Sequence, residues 1–251
     1  SCRKAHLCRI SASMTGFINV NKSVGVSSAR EVAVIKKLTG MPCGHLGTLD
    51  PMASGVLPIA VGNATRLFDF FLAKRKRYVA EFLFGTDTDT LDTTGTVIKS
   101  GGRIPSEEEI TAALPSLVGD LMQVPPNYSA KSVNGVRGYQ MARRGEEFTL
   151  PPKKVSVGEF VLSGRVSENI FRFEIECGGG TYIRSLARDL GKLTGTYAVM
   201  SALCRTESGG FKIENSVETR LLDRDNIYAS LIPADSVLPY PAKVLTCGEE
   251  K

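Results

Sequence analysis

The clearest pattern in the chain is the alternation of Phe171, Phe173, Ile175 and Cys177 with Arg172, Glu174 and Glu176, the period of two of a strand with one buried face. A Gly178-Gly179-Gly180 turn follows and feeds a helix from Thr181, along which Tyr182, Leu186, Leu190 and Leu193 recur at roughly helical spacing. Further strands are predicted over residues 16–20 (GFINV), 77–84 (RYVAEFLF), 95–99 (GTVIK) and 211–213. Ser28 followed by Glu31 reads as a capping box opening a helix with Val32, Ile35 and Leu38 on one face, stopped by Gly40. Ser106 and Glu109 repeat that pattern ahead of Ile110, Leu114 and Leu117, and a last helix is expected near residues 222–231. Residues 41–65 have neither period and are dense in Gly and Pro. They are expected to form a long ordered loop with short elements, the kind of segment where chemistry sits. Strands and helices mix without regular βαβ alternation, so the expected fold class is α+β (mixed α/β) with a largely antiparallel sheet flanked by helices.

Composition narrows the picture. With 42% apolar side chains in 251 residues, disorder is excluded for most of the chain, and one large domain is as plausible as two small ones. The longest apolar, charge-free stretch near the middle, 51–65, falls short of the roughly 18–20 residues a membrane span needs, and Pro58 and Gly62 interrupt it. Residues 1–13 carry Arg3, Lys4 and Arg9 but no apolar run, so no signal peptide is expected; they read as an N-terminal extension before Met14. Six cysteines without a C-x-x-C pair or regular spacing argue for reduced thiols in the cytoplasm. Two histidines, His6 and His45, leave little for His-rich metal chemistry. A net charge of +5 suits a polyanionic partner.

Several familiar chemistries fail on inspection. No serine sits in G-x-S-x-G. The one Gly-Lys pair, Gly191-Lys192, is followed by Leu193, so there is no Walker A loop, and Ile183 takes the place of the third Gly of a dinucleotide fingerprint. Asp87, Asp89 and Asp92 do not have calcium-loop spacing and are better read as Asx turns. A triad of Ser54, His45 and Asp50 would have to assemble within ten residues, and it is set aside.

What remains is residues 44–67, GHLGTLDPMASGVLPIAVGNATRL. Taken alone, Asp50-Pro51 is a helix-start pair. Here the aspartate lies in a Gly-rich, apolar neighbourhood able to aim and desolvate one carboxylate. The segment GH-x-GTLDP-x-A-x-GVLP resembles the signature of the bacterial tRNA pseudouridine-55 synthases (TruB). The resemblance continues in KRY (76–78), TDT-x-D-x-x-G (88–95), P-x-x-YSA with a later Y-x-x-AR, and GGTYIRSLARDLG (179–191), with order and spacing kept from Gly16 to Asp235. It implies a catalytic domain over residues 14–235 that isomerises uridine 55 in the tRNA T-loop without metal, cofactor or energy source. The implied partner is the T-arm of tRNA, with a monomer as the default state.

By position, the resemblance makes Asp50 the catalytic aspartate, acting as a nucleophile on the sugar C1′ or as a base at C2′. Arg184 becomes the arginine that holds this aspartate charged and oriented, and Tyr78 the tyrosine stacked on the target base. Tyr182 and Leu203 line the pocket, and His45 takes the place of the displaced nucleotide in the RNA. Unaided, Leu203 reads as core, Tyr182 as a helix-start packing residue and Tyr78 as a core residue of its strand. Unstacking the uracil costs a few kcal/mol, to be offset by aromatic contacts and by phosphate neutralisation at Lys74–Arg77, Arg143–Arg144 and Lys153–Lys154. Three departures stand out. Lys22, a substrate-binding position, is followed by Ser23 where the family has proline; Ser132 replaces a lysine, with Lys131 beside it; and residues 236–251 are too few for the accessory RNA-binding domain that family members carry. The same chemistry on another RNA, or a tRNA-folding chaperone using the same surface, are the competing functions.

Overall fold

The computed structural model describes residues 15–127, 132–133, 136–137 and 150–237. The N-terminal extension, the YSA segment with Lys131, the Arg143–Arg144 pair and residues 238–251 lie outside the described residues.

In chain order the elements begin with β1 (Gly16–Lys22), α1 (Ser28–Thr39), β2 (Cys43–His45), β3 (Ser54–Val61), α2 (Phe68–Leu72) and β4 (Lys76–Phe84). The short strands β5 (Asp87–Thr88) and β6 (Val97–Lys99) follow, then α3 (Glu107–Ala113), β7 (Gly119–Gln123), β8 (Ser132–Val133) and β9 (Val136–Arg137). The chain ends with β10 (Lys153–Arg165), β11 (Ile170–Cys177), α4 (Ile183–Leu193), β12 (Ala198–Ser208), β13 (Phe211–Lys212) and β14 (Ile232–Pro233). Short 3-10 turns lie between several of these elements.

Two compact units share the chain. The first gathers residues up to Pro51, Gly55–Phe71 and those from Gly210 onward. In it β1 lies antiparallel between β14 and β3, from Gly16↔Val61 to Lys22↔Gly55, and β2 pairs with the end of β3. Its core is Phe17, Leu46, Val56, Ala60, Ala64, Phe71 and Phe211, with the Phe17 ring edge-on to Phe71 at 5.0 Å and to Phe211 at 5.5 Å. β3 replaces the expected loop. Seven of its eight residues are buried, so the sequence shows no alternation, and Pro58 reads against a strand. The helix expected near 222–231 is also absent. Asp223 Oδ1 accepts from the amides of Asp225 and Asn226, a turn that leaves only a 3-10 segment at Ile227–Ser230.

The second unit holds Met52–Ser54 and Leu72–Gly209. Its antiparallel ladders run β12–β4–β11–β10–β7. Phe82, Phe160 and Phe173 interlock in its core, with Phe82 and Phe173 centroids 4.8 Å apart. Helix α4 packs on β12 and β4, and its Leu186, Ala187 and Leu190 are buried. Gly191 lets the helix approach, because a Cβ there would stand 2.6 Å from the Ala198 nitrogen. The expected Ser106–Glu109 capping box is formed, whereas α1 is capped one residue earlier than expected, by Ser27. Among the described residues no helix is long and apolar enough to cross a membrane.

Candidate functional site

In the first unit, the backbone on both sides of Asp50 is pinned. Before it, the Ser28 hydroxyl contacts both backbone polar groups of Leu49, donating to the carbonyl at 2.9 Å and lying 2.9 Å from the amide nitrogen. After it, the Pro51 carbonyl accepts from the Gly25 amide at 2.7 Å and from Lys22 Nζ at 3.3 Å. Leu49 and Ala53 are buried, while Asp50 itself is half-buried. The peptide groups on both sides of this carboxylate are thus held in place, and the carboxylate keeps some water access. His45 ends β2, opposite Ile59, and is also half-buried.

Lys22 is a correction to its expected part in RNA contact. Its side chain is wholly buried, and its ammonium donates to the carbonyls of Ser23 (3.0 Å), Val26 (2.6 Å) and Pro51. An ammonium without solvent access cannot neutralise a phosphate; this one ties the end of β1 to the residue following Asp50. Ser28 and Glu31 are likewise not a capping box. Ser28 serves Leu49, and Glu31 accepts from the Thr219 hydroxyl at 2.5 Å.

In the second unit, Tyr78 on β4 is buried opposite Ile175 on one side and Arg205 on the other. Arg205 is 1% exposed and Leu203, two residues earlier on β12, is 8% exposed. Arg184 is a buried cation. It is 6% exposed at the start of α4, where Nη1 donates to the Thr90 carbonyl at 2.9 Å and stands 3.5 Å from Asp92 Oδ2. Asp92 forms the expected Asx turn, its Oδ1 accepting from Thr90 Oγ1 (2.8 Å), the Thr94 amide (3.0 Å) and Thr94 Oγ1 (2.5 Å). The turn thus carries a second duty that spacing did not reveal: it supplies a buried counter-charge to Arg184. Tyr182 is the N-cap residue of α4 and is half-buried. Both its backbone groups pair with the Gln123 side chain, a residue that sequence reasoning missed because its partner lies 59 positions away.

The basic run at Lys74–Arg77 is only partly available to phosphate. Arg75 and Arg77 both pair with Glu176, at 2.7 and 2.5 Å, though their side chains stay well exposed. Lys76 is buried and donates to the carbonyls of Leu72 and Lys74. Burial, helped by the charge of Arg205, lowers its pKa to about 8. Burial also raises the neighbouring Cys177 thiol to about 11. Lys154 pairs with Asp120 on the surface at 2.8 Å. Among the described residues no three His, Cys, Asp or Glu side chains are grouped to hold a metal ion.

Against these observations stand the likenesses to known proteins. Residues 36–183 match the family described as TruB family pseudouridylate synthase (N terminal domain), a match that leaves Lys22, Arg184 and Leu203 outside. Curated relatives carry the name tRNA pseudouridine synthase B, among them those of three species. That of Nitrobacter winogradskyi is 40% identical over 242 residues, covering 92% of this chain and 68% of the relative. That of Anaplasma marginale is 41% identical, covering 89% and 74%. That of Clostridium tetani is 39% identical, covering 90% and 78%. Among solved structures, a Cbf5-Nop10-Gar1 complex superposes with a TM-score of 0.65 at 31% identity. An H/ACA RNP bound to a substrate RNA containing 2′-deoxyuridine gives 0.61 at 29%. The matched part is 85% of this chain in both, and 54% and 53% of the two solved chains.

Proposed function

The chain belongs to the TruB family of pseudouridylate synthases, and on that premise we propose that it isomerises uridine 55 in the T-loop of tRNA to pseudouridine. The reaction breaks the bond between uracil N1 and the sugar C1′ and forms one between C5 and C1′. The C5 hydrogen leaves as a proton and N1 gains one, so no atom is added or lost.

Asp50 supplies the carboxylate, as nucleophile at C1′ or as base at C2′. Either role needs a group that stays ionised at neutral pH and departs cleanly afterwards. Arg184 keeps that carboxylate charged and directed, and it is itself held by Thr90 and Asp92. Tyr78 stacks on the uracil once it has left the loop, Tyr182 and Leu203 line the pocket, and His45 occupies the vacated place in the RNA. The flip costs a few kcal/mol, which stacking and phosphate contacts offset. Arg75, Arg77, Lys153 and Lys154 are exposed cations of the basic runs that can make those contacts. The reading requires no metal or cofactor, and a monomer in the cytoplasm suffices.

The observation that carries this reading is the pinning of Leu49 and Pro51, which fixes the one aspartate inside the GHLGTLDP segment. Curated relatives about two-fifths identical over most of the chain bear the tRNA enzyme's name, which favours tRNA over a guided RNA target. The test uses an unmodified tRNA transcript and its U55C counterpart, incubated with the protein and digested to nucleosides. Pseudouridine from the first alone is the expected result. Equal yields from both, or none, would refute the assignment.

A further inference from the structure

Gln123, the last residue of β7, is 3% exposed, and its side-chain amide meets one backbone residue twice. Its Oε1 accepts from the Tyr182 amide at 2.8 Å, and its Nε2 donates to the Tyr182 carbonyl at 3.1 Å. The side chain therefore stands in for a neighbouring strand, satisfying both polar groups of a residue at φ −99° and ψ 112°. Tyr182 has no side-chain cap of its own, and its carbonyl also takes the first bonds of α4, from the amides of Ser185 (3.1 Å) and Leu186 (3.2 Å). The adjoining residue strengthens the link, because the Val124 carbonyl accepts from Ser185 Oγ at 2.9 Å and Arg188 Nη2 at 3.1 Å. Four side-chain bonds thus bind two consecutive residues to the first two turns of the helix that carries Arg184.

We propose that Gln123 is a positioning residue for the isomerisation: its two bonds to Tyr182 set the entry of α4 and so the aim of the Tyr182 ring and the Arg184 guanidinium. The inference rests on the function proposed above. The chemistry explains why an amide stands here. Asn and Gln carry a neutral donor and acceptor side by side on one planar carboxamide at neutral pH, and Asn is a methylene shorter. A carboxylate would accept from the Tyr182 amide but place a second acceptor against its carbonyl. A carboxylic acid, with its proton, would restore both bonds.

That difference supplies a test that a merely structural role would not pass. Tritium release from tRNA labelled at uracil C5 is measured for wild type, Gln123→Met and Gln123→Glu at pH 8 and pH 6, with circular dichroism confirming the fold. Gln123→Met is expected to lower kcat by about 10- to 100-fold with KM within about 3-fold of wild type, as for a misplaced catalytic group. Gln123→Glu is expected to be as impaired at pH 8 and to regain about 10-fold at pH 6, since burial raises a carboxyl's pKa toward that range. Wild type shows no such gain.

Wild-type kcat in a folded Gln123→Met, or no gain at pH 6 in a folded Gln123→Glu, would overturn the inference while leaving the isomerase reading intact. If the methionine variant does not fold, the glutamate arm decides alone. Absence of tritium release from wild type would instead remove the functional reading, and this inference with it.

Discussion

The pairing of Asp92 with Arg184 allows a quantitative test by double-mutant cycle. Both side chains are nearly sealed from solvent, at 4% and 6% exposed, with Oδ2 and Nη1 3.5 Å apart. At an effective dielectric near 20, two unit charges at that separation attract by about 5 kcal/mol. The cost of burying both cancels much of this gain, but removing one partner leaves the other buried with less compensation, a loss of roughly 3 kcal/mol. Asp92→Asn is the informative change, because its oxygen can still accept from Thr90 and Thr94 while the charge is gone. Arg184→Met removes the other charge and keeps most of the volume. Each single variant is expected to lose about 2–4 kcal/mol, and the double variant at least about 1.5 kcal/mol less than the sum of the two. Urea unfolding of the four proteins at pH 7.5, compared at a common slope, gives the cycle. Additivity within about 0.5 kcal/mol would refute the reasoning, since it would mean that the pair does not act as a pair.

Lys22→Met should destabilise the protein by about 2–4 kcal/mol, because three carbonyls lose a charged donor, while leaving the salt dependence of tRNA binding unchanged. A fall of about one in the slope of log affinity against log salt would mean that Lys22 does neutralise a phosphate. The Lys76 and Cys177 shifts give a stability profile in the alkaline range. Lys76 binds its proton more weakly folded than unfolded, so stability rises from about pH 8, where the folded group titrates, to 10.5, where the unfolded one does. Cys177 acts the opposite way, holding its proton more tightly when folded, so its contribution is lost between pH 9 and about 11. Chemical denaturation should therefore show a rise between pH 8 and 9 in wild type that is missing in Lys76→Met; equal profiles would contradict the assigned shift.

The parts of the fold legible in the sequence were those whose partners lie close by or whose one face is wet. β11 alternates because its odd positions are buried and Arg172 and Glu174 are not, and the Ser106–Glu109 box closes within four residues. β3 was hidden by burial on both faces, and β10 by an irregular register between Val157 and Glu159, which breaks the period at Gly158. The same division holds for the candidate site. Asp50 is proposed from a run of motif residues, and Asp92 was seen as a turn-former from its local spacing. Its duty to Arg184, the service of Ser28 to Leu49, and the hold of Gln123 on Tyr182 all join positions between 21 and 92 residues apart, and no local pattern encodes them. Lys22 shows the converse error. The resemblance implies RNA contact for it, and only its complete burial reveals a backbone clasp.

The most direct measurement is tritium release from unmodified tRNA labelled at uracil C5, with wild type and Asp50→Asn side by side and without added metal or nucleotide. Release by wild type and none by a folded Asp50→Asn that still binds tRNA is the result expected if Asp50 carries the isomerisation. Release by both would move the chemistry away from Asp50, and release by neither, with tRNA bound, would point to a chaperone or to another RNA target.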